Sequence, residues 1–172
     1  MTDLARLYAD IALLRRGPQD VPASLFLLAI TVIAYCAVNL IVNWALPLPN
    51  DPWLPVLLID VPFTLAWYGA LLRLLRKPER VLQTTTAVFG FRAVLAPLLI
   101  GAEWLYRRFG ADQSWQLMVA IGYVAVIVWM IAANGRILKA ALEWSMFQCV
   151  ALVLLETFAS ALLVVAIVPL AR

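Results

Sequence analysis

The chain has 172 residues, 65% of them apolar and 13% charged, with a formal net charge of +3 and no histidine. A soluble domain carries roughly 25% charged residues, so this composition excludes an ordinary water-soluble core and points to a lipid bilayer as solvent. The missing imidazole excludes Ser-His and Cys-His catalysis, histidine-ligated haem and imidazole-based zinc sites.

Residues 2–16 place Leu4, Leu7, Tyr8, Ile11 and Leu14 at helical spacing, with Asp3, Arg6 and Asp10 on the other side. This predicts an amphipathic helix on the cytoplasmic membrane surface, ended by Gly17 and Pro18, either as a lipid anchor or as a docking arm for a partner. Five apolar runs follow, at 25–46, 53–75, 84–106, 115–134 and 143–170. Each supplies the roughly 20 residues a helix needs to cross about 30 Å of hydrocarbon, and all are continuously apolar, which favours helices over a barrel. The expected fold is all-α and polytopic: a cytoplasmic segment over 1–20 and a single five-helix transmembrane bundle over 21–172.

The first run starts late and has no small-residue cleavage site before the next span, so it is read as a retained helix. Residues 47–53 are proline-dense and predict a stiff turn. The approach to the third run, 74–81, echoes the approach to the first, 13–21. Each has a leucine pair, two basic residues, a proline and an acidic residue near a valine. The echo fits a duplicated two-span unit or two restart signals converging at one interface. A basic turn over 135–140 is expected between the last two spans.

Lys and Arg set the orientation. With the N-terminus inside, nine basic residues flank the inner ends (Arg6, Arg15, Arg16, Arg73, Arg76, Lys77, Arg80, Arg136 and Lys139) and three the outer ends (Arg107, Arg108 and Arg172). The C-terminus is then outside, and Arg15, Arg16, Arg76, Lys77 and Arg80 form a cytoplasmic basic border. Eleven Arg against two Lys fits a GC-rich genome and hence a bacterial inner membrane. Trp44, Trp53, Trp104, Trp115 and Trp144 fall near span boundaries, whereas Trp67 and Trp129 are expected to pack between helices.

Asp60, Arg92 and Glu156 lie inside spans, where an ionisable group costs about 2.5 to 3.5 kcal/mol. Counting helical rise puts Asp60 roughly 10 Å below the outer border, Glu156 near the midplane and Arg92 roughly 12 Å above the inner border. Arg92 either pairs with Glu156 or Asp60 inside the bundle or snorkels to the inner border. Asn39 and Asn43 sit four apart and, with Asp60, Glu156 and Thr157, outline an outward-facing polar pocket or supply interhelical hydrogen bonds. Pro62 and Pro97 interrupt the second and third runs. Cys36 and Cys149 lie within spans as apolar fillers, and no cofactor or metal site is expected.

Residues 78–90, PERVLQTTTAVFG, enter a span that reaches Ala96 and Pro97. Near the end, a span finishing at Trp129 to Asn134 leads through a short basic stretch into a final apolar helix. With the five-span, N-in layout, this order resembles the Yip family, five-span membrane proteins whose eukaryotic members interact with Rab-type GTPases. The resemblance implies fold and membrane address and brings no catalytic residues. The expected function is a non-enzymatic adaptor or accessory subunit of a membrane assembly. Its expected partners are membrane lipids and other integral membrane proteins or further copies of itself, and no nucleic acid. The alternatives are a small oligomeric carrier or channel using the intramembrane charges, and a lipid-binding or membrane-organising protein.

Overall fold

Each long apolar run folds as one helix, because lipid leaves every backbone polar group to be satisfied within its own segment. The computed structural model describes residues 19, 21–47, 52–110 and 114–168. The expected surface helix, with Arg15 and Arg16, lies outside the described residues. The helices are α1 (Leu25–Ala45), α2 (Trp53–Leu74), α3 (Val81–Phe109), α4 (Gln116–Leu142) and α5 (Met146–Ile167), with a 3-10 turn at Pro78–Arg80, and no strand occurs among the described residues. All five are long and apolar enough to cross a membrane, so the chain is a multi-pass membrane protein.

Local signals set the helix ends. Ser24 caps α1 by accepting from the Leu27 N–H at 3.3 Å, and Ser145 and Gln148 form a reciprocal capping box at the start of α5. After α2 the chain turns through Arg76 at φ 57°, and the Lys77 N–H reaches back to the Leu72 carbonyl at 2.8 Å, closing the helix end before Pro78 starts the next turn. Pro62 and Pro97 lie inside helices that continue through them.

The apolar pattern predicts a fourth span ending at Asn134 and a turn over 135–140. Instead α4 runs on to Leu142, and the turn falls at Glu143, whose φ is 64°. Gly135 explains the continuation. A Cβ there would sit 2.9 Å from Val150 Cγ2 and 3.2 Å from Met146 Cε, so its absence lets α4 and α5 approach. The contact offsets the roughly 1 kcal/mol that a mid-helix glycine costs.

Helix α3 is the central element, packed on α1, α2 and α4, while α5 packs on α4 and α2. Helices α3 and α5 thus face each other across a ring of four without packing closely. Burial is uneven along the bundle. The core gathers where Lys77, Arg80 and Glu143 meet, from Tyr68 and Leu72 of α2, Ala87, Val88 and Phe91 of α3, Ile137, Leu138 and Leu142 of α4, and Cys149 of α5. Towards the opposite end Leu117, Ile121, Val124 and Val128 of α4 are exposed. Trp67 packs against the core as expected, but Trp129 is 37% exposed because this part of α4 is uncovered.

Candidate functional site

Arg92 sits on the face of α3 turned into the four-helix ring. Its Nη1 donates to Asp60 Oδ1 at 3.2 Å and to Thr64 Oγ1 at 2.9 Å, and its Nη2 donates to Glu156 Oε1 at 2.7 Å. The guanidinium therefore joins both carboxylates, from α2 and α5, and does not snorkel to a border. Its planar fork suits this double engagement, which a lysine ammonium would not reproduce.

Two tyrosines close the remaining carboxylate oxygens. Tyr35 of α1 donates to Asp60 Oδ2 at 3.0 Å, and the fully buried Tyr68 donates to Glu156 Oε2 at 2.7 Å. Asp60, Thr64 and Tyr68 recur every four residues along α2, so one helix face presents an acid, a hydroxyl and a phenol in a ladder beside Arg92. Tyr35 is held in turn against Phe89, with ring centroids 5.5 Å apart. The network spans four helices and satisfies the groups whose burial would otherwise be most costly.

A cavity of ≈ 460 Å³ opens beside this network. Asp60, Arg92, Glu156, Asn39 and Thr157 line its polar part, and Leu95, Leu99, Ile100, Val164 and Val165 are among its apolar walls. Asn39 donates to the Tyr35 carbonyl and Asn43 to the Asn39 carbonyl, so both bond within α1 and not between helices. Asn43 does not line the cavity, which corrects its place in the expected pocket. The four-residue step keeps Asn43 on the face of Asn39 but carries it about 6 Å along α1, towards the helix end at Ala45.

Sequence reasoning missed Tyr35, Thr64, Tyr68 and Asn134. Asn134 is 3% exposed and lines the cavity, and its Oδ1 accepts no hydrogen bond. The four-residue ladder from Asp60 was a signal available for Thr64 and Tyr68; nothing in the sequence marks Asn134.

The basic border is partly spent inside the protein. Arg80 donates to the carbonyls of Ala140 at 3.1 Å and Ala141 at 2.8 Å, and to Glu143 Oε1 at 2.6 Å, while Lys77 donates to the Leu142 carbonyl at 2.9 Å. These cations cap the free carbonyls of α4 and oppose the negative end of its dipole. Glu143 lies in the turn outside the spanning helices. The bond and charge of Arg80, with the charge of Lys77, hold its carboxyl below the usual carboxylate range.

Cys36 and Cys149 are free thiols. Among the described residues no cluster of three or more acidic or thiol side chains is placed to hold a metal ion.

No family model, curated protein or solved structure matches the chain.

Proposed function

We propose that the protein is a non-enzymatic accessory component of a bacterial inner-membrane assembly, Yip-like in its five-span layout, with the N-terminus cytoplasmic and the C-terminus outside. The observation that carries this reading is how the membrane-embedded charges are used. Every oxygen of Asp60 and Glu156 accepts a bond from Arg92, Tyr35 or Tyr68. The bundle is packed shut at its basic end by Tyr68, Leu72, Leu138 and Leu142, which lie beyond the cavity. That arrangement locks helices together and leaves no carboxylate oxygen of Asp60 or Glu156 unbonded among the described residues, which sets the carrier or channel reading behind. Exposed apolar faces on α1, α4 and α5 are open to lipid or to another membrane helix, and we place the partner helix on α4. The inner-membrane address and orientation are supported by the basic residues at the ends of α2 and α4, which favour the cytoplasmic side.

The test is site-specific photocrosslinking in native membranes from Leu117 and Val124 on α4, with Phe26 on α1 as the comparison position. The accessory reading expects a single protein adduct, saturable and confined to α4. Lipid adducts alone at all three positions would overturn it.

A further inference from the structure

The accessory role leaves the cavity unused. We infer that this cavity is a binding site for an uncharged lipophile that presents a carbonyl oxygen to Arg92, as a quinone or the ester group of an acylglycerol does. Occupancy of the site does not depend on the accessory role.

The volume of ≈ 460 Å³ lies within the range of small-molecule sites. Leu99 of α3 and Val164 and Val165 of α5 are among its walls, and Val165 is 64% exposed, so the cavity reaches the outside of the bundle near the end of α5 away from the basic clamp. A molecule entering there leaves hydrocarbon and meets apolar walls, which selects an apolar body.

The polar groups select the head. Each of the four oxygens of Asp60 and Glu156 already accepts a bond, so the acids hold no vacant place for a donor. Arg92 differs. A guanidinium has five N–H donors, and the bonds to Asp60, Thr64 and Glu156 use three of them, leaving one on Nε and one on Nη2. Nε makes no bond within the protein and is not among the sealed atoms that lack a partner, so a small molecule can reach it in the cavity that Arg92 lines. Ser160 and the Asn39 carboxamide also line the cavity, and either can donate or accept. Arg92 can only donate, so the head it calls for is an acceptor oxygen.

Charge separates a neutral acceptor from an anionic one. Two carboxylates beside one guanidinium leave a formal balance of −1, which opposes a carboxylate or phosphate head in apolar surroundings. A carbonyl dipole meets the same N–H without that repulsion.

The experiment is equilibrium binding to the purified full-length protein in an uncharged, ester-free detergent. The probes are a decyl-substituted benzoquinone, dioctanoylglycerol, decylbenzene as an apolar body without a carbonyl, and decanoate as an anionic head. The expected result is saturable one-site binding of the quinone, the acylglycerol or both, with decylbenzene and decanoate at least about tenfold weaker, as for loss of a hydrogen bond to a charged donor. Binding of the quinone alone identifies a quinone site, and of the acylglycerol alone an ester site. Arg92→Lys loses the planar fork and weakens the carbonyl probes by about tenfold or more. Leu99→Trp places a ring in the empty volume and abolishes binding with thermal unfolding unchanged, so it reports on the site even if Arg92→Lys fails to fold. No saturable binding of either carbonyl probe, decylbenzene or decanoate within tenfold of them, or full binding by Leu99→Trp would overturn the assignment. None of these results bears on the α4 crosslinks, which read the accessory role separately.

Discussion

Arg92 and Glu156 meet at 2.7 Å across the centre of the bundle, from two helices that do not otherwise pack closely. The pair is thus a tie across the ring, and Tyr68 braces its acidic end. Tyr68→Phe removes a bond to a buried carboxylate and should lower stability by about 1 to 2 kcal/mol. Tyr35→Phe acts on a half-buried pair and should cost less than about 1 kcal/mol. Thermal unfolding of both variants in mild detergent checks the order.

Glycine positions test the packing of α4 against α5. Gly135→Ala puts a methyl 2.9 Å from Val150 Cγ2, a branched side chain with little freedom to move, and should destabilise by about 1 to 3 kcal/mol. Gly101→Ala in α3 meets nothing within 4 Å and should stabilise by up to about 1 kcal/mol through helix propensity. Opposite shifts in melting temperature are the expected result.

The five spans are legible in the sequence because hydrocarbon thickness fixes a minimum apolar length, whereas the cost of a lone charge in lipid leaves Arg92 either to pair or to snorkel, and the structure shows the pairing. Its engagement of both acids is not legible, since depth counted along separate helices puts Asp60 and Arg92 at different levels and gives no azimuth. Gly135 misleads for a related reason. A glycine beside Arg136 and Lys139 has the composition of a turn, and only the facing Val150 and Met146 explain why the helix continues. Asn134 gives no warning at all, because an amide near a span end reads as an interface residue.

The clamp at the basic end should weaken in acid. Glu143 has its carboxyl held below the usual range, so its contribution is fully present above the unfolded value of about 4.3 and is lost as pH falls through the lower folded value. Melting curves between neutral pH and about pH 3 should fall more for the native chain than for Glu143→Gln, which has nothing to titrate there. Equal falls would remove Glu143 from the clamp.

Orientation is open to direct labelling. With Cys36 and Cys149 replaced by alanine, Ser114→Cys in the α3–α4 turn should react with a membrane-impermeant maleimide on intact spheroplasts. Ser145→Cys, at the start of α5, should react only after lysis. The reverse pattern would invert the proposed topology.

The network as a lock between helices is tested most directly by a double-mutant cycle on Arg92 and Glu156, read as unfolding free energy in detergent. Each single substitution to methionine strands a buried partner and should cost about 3 to 5 kcal/mol. The double substitution should cost less than the sum of the singles by about 1 to 3 kcal/mol, because Arg92 and Glu156 no longer strand each other. Strictly additive costs would mean that the two side chains do not stabilise one another, and that the tie across the ring does not hold the bundle together.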